Sequence, residues 1–178
     1  MHGNKKNSSP MSVTDEEFMR LALAQAIEAE RQNEVPVGAV MVAEGRVVGR
    51  GYNQRESRHN PLCHAEISAI DEAAKQLGKW RLSDCTMYVT LEPCIMCVGA
   101  ILQARVKKLV FGCLDVKAGA VESLYCLCED QRLNHQLPVV GGVLADEAGL
   151  LLSNFFIHLR ARKREFIMGR GGRAVEGA

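Results

Sequence analysis

The sequence predicts an α/β fold in which a sheet is layered between helices, and three observations carry that expectation. Short apolar runs rich in β-branched residues recur along the chain, at residues 37–43, 85–91, 106–113 and 139–144. Between them lie stretches whose apolar residues return at helical intervals, and strands that alternate with helices build layered α/β architectures. At 178 residues the chain has the size of one domain with one sizeable core. Nearly half of its residues are hydrophobic and about a quarter charged, which excludes a disordered or collagen-like chain.

Each element follows from a local signal. Residues 1–13, polar and rich in Lys, Asn and Ser, form the expected disordered N-terminal tail. Thr14 and Glu17 have capping-box spacing, and Asp15 and Glu16 suit the positive end of a helix over 14–32. Its Phe18, Ala22, Leu23 and Ala26 fall on one face, as core residues do. Residues 37–43 and 46–52 flank Glu44-Gly45 and read as a β-hairpin, with Gly49 and Gly51 marking a bend or bulge. A polar loop ending in Asn60-Pro61 leads to a helix over 63–77, which stops at Gly78.

Residues 85–91 (CTMYVTL) read as a buried strand, and Pro93 opens a helix over 94–103, where the first position tolerates proline. A strand over 106–113, a loop-rich stretch over 114–137, a last strand over 139–144 and a long helix over 145–167 complete the domain. The remaining residues, 169–178, form a second disordered tail. No internal repeat is visible.

Composition restricts the partners. A formal charge of +1 gives no global attraction for nucleic acid, so any RNA contact must be local. Arg160, Arg162, Lys163, Arg164, Arg170 and Arg173 crowd the C-terminal end against only Glu165 and Glu176. That end suits phosphates, and equally a solvated helix end and tail. Seven cysteines in a chain of this length do not form an obvious disulfide framework, and a reducing compartment fits them. With no apolar stretch long enough for a membrane span and no apolar signal segment at the start, a soluble cytoplasmic protein is expected.

Two short motifs stand apart: His64-Ala65-Glu66, and Pro93-Cys94-Ile95-Met96-Cys97, each at the start of an expected helix. Cys94 and Cys97, three residues apart on a first helical turn, direct both sulfurs one way, and His64 supplies a nitrogen from a second helix end. The positive helix ends favour thiolates there. Three protein ligands leave one tetrahedral zinc position open for water, the arrangement of a catalytic site, and zinc lowers the pKa of that water to about 7. Glu66, not needed as a ligand, is the expected proton carrier, taking a proton as general base and delivering it as general acid. The chemistry is hydrolytic and requires no organic cofactor. An alternative is a closed, purely structural site in which Cys63, Cys126 or Cys128 is the fourth ligand. Cys85 and Cys113, in strand-like runs, read as small buried hydrophobes.

An isolated Cys-x-x-Cys is weak evidence, but the pair His-x-Glu and Pro-Cys-x-x-Cys is the known signature of zinc nucleobase deaminases. At these residues the chain resembles the bacterial tRNA-specific adenosine deaminases of the cytidine deaminase-like superfamily. The likeness extends over about residues 14–164. It includes Glu34-Val35-Pro36-Val37-Gly38-Ala39-Val40, Asn53, His59-Asn60-Pro61, Thr90-Leu91-Glu92-Pro93-Cys94, Val110-Phe111-Gly112, Asp115, Lys117, Gly119-Ala120, Leu133-Asn134-His135 and Leu152-Ser153-Asn154-Phe155-Phe156.

The resemblance implies a three-layer α/β/α fold with a five-stranded mixed sheet, and a CMP/dCMP-type deaminase domain over 14–168. It also implies one zinc ion per subunit, a homodimer, and conversion of adenosine to inosine at the wobble position of a tRNA, an arginine tRNA in the family. In that mechanism zinc-bound hydroxide attacks C6 of the base and a glutamate shuttles the proton. Carried over by motif, His64, Cys94 and Cys97 are metal ligands and Glu66 is catalytic. Asn53 contacts the target nucleoside, Glu34 to Val37, Val35 and Pro36 among them, belong to the pocket wall, and Asp115, Phe156 and Arg160 meet the anticodon stem-loop. Asn53 also suits a simple cap at a hairpin end, and Asp115 and Lys117 suit a loop that stabilises itself. Of Phe155 and Phe156, at most one is expected to face a base. The chain departs from the family at Cys113-Leu114, where a small and then a polar or basic residue is common, and at residues 125–132. Other substrates compatible with the same chemistry are guanine, cytidine or a small nucleotide.

Overall fold

The computed structural model describes residues 13–171, with side chains from 15 to 166. The chain runs α1 (Val13–Arg31), β1 (Gly38–Ala43), β2 (Arg46–Tyr52), α2 (Ala65–Leu77), β3 (Cys85–Leu91), α3 (Ile95–Gln103), β4 (Lys108–Cys113), a 3₁₀ turn (Leu127–Glu129), β5 (Val139–Val140) and α4 (Ala145–Gly171). The five strands form one mixed sheet in the order β2-β1-β3-β4-β5. β1 is antiparallel to both β2 and β3, whereas β3, β4 and β5 run parallel. The expected layered α/β fold and its mixed five-stranded sheet are both observed.

Strand periodicity assigns the two faces. Ala39, Met41 and Ala43 of β1, Met87 and Val89 of β3, and Leu109 and Phe111 of β4 pack with Ala65, Ala69 and Ala73 of α2 and Val98, Ile101 and Leu102 of α3. The alternate residues Val40, Val42, Tyr88 and Val110 pack with Met19 and Ala22 of α1. Successive side chains of a strand point to opposite faces, so a sheet covered on both sides reads as an unbroken apolar run. β1, buried at all six positions, is such a run. α4 joins the α1 face, where Ala148 lies over Gly112, Arg20 meets Glu147 at 3.0 Å, and Arg162 Nη1 donates to Asn33 Oδ1 at 2.8 Å.

The glycines of β2 act mainly through packing. A bulge does interrupt the β1–β2 register between Met41 and Val42. At Gly51, however, a Cβ would lie 2.0 Å from the Ala65 carbonyl oxygen, so the first turn of α2 rests directly on the strand backbone. Ala65, Ala69 and Ala73 complete a small-residue seam that lets the helix approach.

Several boundaries differ from expectation for local reasons. α1 is described from Val13, so Thr14 is inside the helix and not at its cap; its side chain lies outside the described residues. α2 and α3 each begin later than expected, with His64 and Cys94 as extended N-cap residues and Pro93 outside its helix. β4 begins at Lys108 because Val106 still donates to Ile101 at the end of α3 and Arg105 has φ +59°. β5 is only two residues long, since positive φ at Gly142 and Leu144 turns the chain away from the sheet. α4 continues past the expected end at 167 to Gly171, so helix covers the first residues assigned to the C-terminal tail. The rest of both tails lies outside the described residues.

A Gly51→Ala substitution should therefore lift the N-terminus of α2 from β2. The expected cost is roughly 1–3 kcal/mol, typical of overpacking. Thermal unfolding checks it, and an unchanged midpoint would contradict direct backbone contact at this seam.

Candidate active site

The N-termini of α2 and α3 meet beside the end of β3. His64 and Cys94 are the N-cap residues, with φ/ψ of −84°/155° and −76°/173°, and neither side chain caps its own helix. Both are thereby free for other work. Asn53, just beyond β2, takes over at α2: its Oδ1 accepts the Ala65 amide at 3.3 Å, and its own amide donates to Val37 O at 3.1 Å. A helix end carries orphan amides, and here the acceptor comes from the hairpin.

Among the described residues, only His64, Cys94 and Cys97 form a group of three or more that could hold a metal, their ligand atoms all within 4.8 Å of one another. His64 Nδ1 lies 3.8 Å from Cys94 Sγ and 3.5 Å from Cys97 Sγ. Tetrahedral zinc with nitrogen at about 2.0 Å and sulfur at about 2.3 Å places those donors about 3.6 Å apart, so the donor set fits the ion in both chemistry and spacing. The fourth-ligand alternative finds no support in this geometry. Cys126 is exposed and Cys128 packs into the main core, and neither they nor Cys63 joins the group.

The cluster is electrostatically asymmetric. The Cys97 thiol donates to Cys94, and with help from His64 and the Cys97 amide this holds the Cys94 sulfur as a thiolate, its pKa lowered to about 3. Cys97, beside that charge and buried, is pushed far up, while His64 is raised chiefly by its hydrogen bond to Cys94. A divalent cation would stabilise the second thiolate that the protein alone does not. Glu66, only 3% exposed, is the buried acid of the site. Burial raises its carboxyl pKa despite opposing help from its own amide and from His64, and it shares a hydrogen bond with Cys97.

The chain can now be set against known proteins. The family described as cytidine and deoxycytidylate deaminase zinc-binding region matches residues 12–113. A tRNA-specific adenosine deaminase of Bacillus subtilis is 49% identical over 150 residues, covering 84% of this chain and 93% of that one. Its Haemophilus influenzae counterpart is 47% identical over 154 residues, covering 86% and 89%. The chain belongs to the tRNA-specific adenosine deaminase family. A solved structure from studies of A-to-I editing by tRNA:A34 deaminases superposes on this family member with a TM-score of 0.74 at 41% identity, over 76% of this chain and 99% of the other.

The remaining expected residues of this deaminase-family chain are dispersed. Pro36 is buried and Val35 half-buried in the segment entering β1. Asp115 turns its carboxylate back on its own loop, accepting the Lys117 and Ala118 amides at 3.0 and 3.2 Å. Phe155 is buried, whereas Phe156 is 39% exposed and meets Phe155 edge-on. Arg160, Lys163 and Arg164 are exposed on α4. Among the described residues, no hydrogen bond or ring contact joins Phe156 or Arg160 to the His64 cluster. Cys85 is fully buried, but Cys113 is only partly so, at the end of β4 with its Sγ toward Thr90 O.

Two carboxylates that lie in the family-like segments prove to be buried loop anchors, a role the sequence did not suggest. Glu34, 1% exposed, accepts the Glu56 and Ser57 amides at 3.1 and 2.7 Å and so fixes the loop before His64. Glu92, 2% exposed, grips the loop beyond β4. The available signal was an acid next to apolar residues, before Val35-Pro36 in one case and between Leu91 and Pro93 in the other.

Burial alone would raise the Glu34 pKa, but the Ser57 and Glu56 amides outweigh it and hold the carboxyl below its ordinary value. Its stabilising effect is therefore full above the unfolded carboxyl pKa of about 4.3 and is lost as pH falls through the folded value. Glu34→Gln should cost about 2 kcal/mol at neutral pH, the scale of hydrogen bonds to a charged group. Denaturant unfolding from pH 7 downward should show the gap between the two proteins narrowing below pH of about 4.3; a constant gap would refute the charged-acceptor role.

Proposed function

We propose that this chain deaminates adenosine to inosine at the wobble position (34) of a tRNA, an arginine tRNA being the expected substrate, as a cytoplasmic homodimer with one zinc ion per subunit. The single observation that carries the proposal is the convergence of His64, Cys94 and Cys97 with a buried Glu66 at two helix N-termini. The names of the relatives, tRNA-specific adenosine deaminases, supply the substrate class.

His64, Cys94 and Cys97 would hold the zinc, with the fourth position open. A zinc ion there would lower the pKa of a water in that position and so provide the nucleophile for the purine C6. Glu66 moves the proton. Its raised pKa suits it to take a proton from the attacking water and pass it to N1 of the adenine, and then to take the proton of the resulting C6 hydroxyl and pass it to the leaving amine, which departs as ammonia. Desolvation is the main cause of that upward shift. Asn53 orients the target nucleoside, a role compatible with its bond to Ala65 because a primary amide has further donors. Val35 and Pro36 wall the pocket, and Phe156, Asp115 and Arg160 meet the anticodon stem-loop. Arg160 and Lys163 offer exposed cations to phosphate, while Arg162 is anchored on Asn33.

Glu66→Gln should retain zinc and bind the RNA but lose deamination by about 10²-fold or more, the scale of general acid–base catalysis. The measurement is inosine formed in an adenosine-bearing anticodon stem-loop, read by mass spectrometry beside free adenosine, cytidine and guanine. Turnover of a free base or nucleoside in preference to the stem-loop would replace the RNA assignment, and equal activity in the variant would sink the proton-shuttle role.

Replacing Arg160, Arg162 and Lys163 together by Gln should weaken stem-loop binding and flatten its salt dependence. Each lost phosphate contact should reduce the slope of log K against log salt by roughly 0.7–0.9. An unchanged slope would show this end of α4 to be a solvated surface.

A further inference from the structure

Loop 115–123 crosses the metal-ligand motif. Gly119 pairs with Cys94 in an isolated antiparallel bridge, and the Ala120 amide donates to Pro93 O at 2.9 Å. Ala120 and Val121 are buried in the main core, and among the described side chains Glu92 supplies the largest share of the loop's hydrogen bonds. Glu92 Oε2 accepts the Asp115 amide at 3.0 Å and the Ser123 hydroxyl, and Oε1 accepts the amides of Val121, Glu122 and Ser123 at 3.1, 2.7 and 2.9 Å. Oε1 thus holds the end of the loop, while Oε2 joins its beginning, at Asp115, to its end, at Ser123. Gly119 lies flat against the same group, since a Cβ there would sit 2.2 Å from Oε2. Leu114, Val116 and Leu124, at the loop's two ends, stay more than half exposed.

We propose that Glu92 is a positioning residue for the substrate, holding loop 115–123 against Pro93–Cys94 so that the nucleotides flanking the target adenosine meet a preformed rim. The inference rests on the RNA-deaminase reading of the site. A carboxylate is acceptor-only, with about four lone-pair sites on its two oxygens, so it can accept from both ends of the loop at once. Glutamine keeps one oxygen for three of the amides but turns an NH₂ toward the Asp115 amide, where two donors then face each other. Glu92→Gln therefore frees the beginning of the loop while leaving its end attached. An RNA that binds only the ordered loop would have to restore that order, which raises KM by the reciprocal of the ordered fraction and leaves kcat at saturation nearly unchanged.

Holoenzymes of the wild type, Glu92→Gln and Gly119→Ala are assayed on the adenosine-bearing anticodon stem-loop, with zinc content and amide hydrogen exchange measured on the same samples. Gly119→Ala reaches the same contact without altering residue 92, by pushing the carboxylate off its donors. Both variants should keep their zinc, show faster exchange at the Asp115 amide, and raise KM about ten-fold with kcat changed less than about three-fold. An unchanged KM, or zinc, kcat and KM failing together in both variants, would overturn the positioning role in favour of a structural one. A wild-type protein that leaves the stem-loop unmodified would instead overturn the functional reading, and this inference with it.

Discussion

Everything at the site depends on two helix N-termini being brought to one point with their cap side chains left free. An N-cap residue ordinarily uses its side chain to satisfy amides of its own helix. His64 and Cys94 keep the extended backbone of a cap but not its hydrogen bond, and their side chains turn toward each other instead. The helix ends contribute positive potential where sulfur must carry charge. The orphan amide of α2 is met by Asn53 from the hairpin, so ligation and helix stability do not compete for the same atom.

Close packing behind the site enforces that convergence. Gly51 and Ala65 bring the first turn of α2 onto β2, while β3 delivers Glu92 and Cys94 at its end beside β4. In front, the two loops bordering the motifs are held by buried carboxylates, Glu34 gripping Glu56 and Ser57, and Glu92 gripping residues 115 and 121–123. Both stay ionised despite burial because backbone amides replace the lost water. Glu66 is the contrast: equally buried but with fewer compensating donors, it has a raised pKa, which is what proton exchange near neutrality requires. Three buried glutamates differ in role because they differ in partners.

Much of this was legible because it is local. The unbroken apolar run at Val37–Ala43 cannot avoid a doubly covered strand, and Gly78 ended α2 as expected, with φ +64°. The Cys94 and Cys97 spacing fixes two ligands on one helical turn whatever the rest of the chain does. What failed was also local in form but nonlocal in cause. Residues 139–144 have strand composition, yet only Val139 and Val140 pair with β4 before Gly142 and Leu144 redirect the chain toward α4. Residues 63, 64 and 94 read as helical, but α2 and α3 begin at Ala65 and Ile95, with His64 and Cys94 as extended N-caps and Asn53 meeting the Ala65 amide.

The sequence by itself determined the layered α/β class, the order of its elements, and the pairing of candidate donors His64, Cys94 and Cys97 with an acid at Glu66, because periodicity and short-range spacing are properties of neighbouring residues. Only the tertiary structure decided that the two motifs meet, that Asn53 completes the helix capping, that Asp115 is turned inward on its loop, and that Glu34 and Glu92 are buried anchors. Apart from the Asp115 turn, which is local, each of these joins groups a dozen or more residues apart, and a contact across such a separation leaves no period or spacing in the chain. It exists only once the sheet has set its partners side by side.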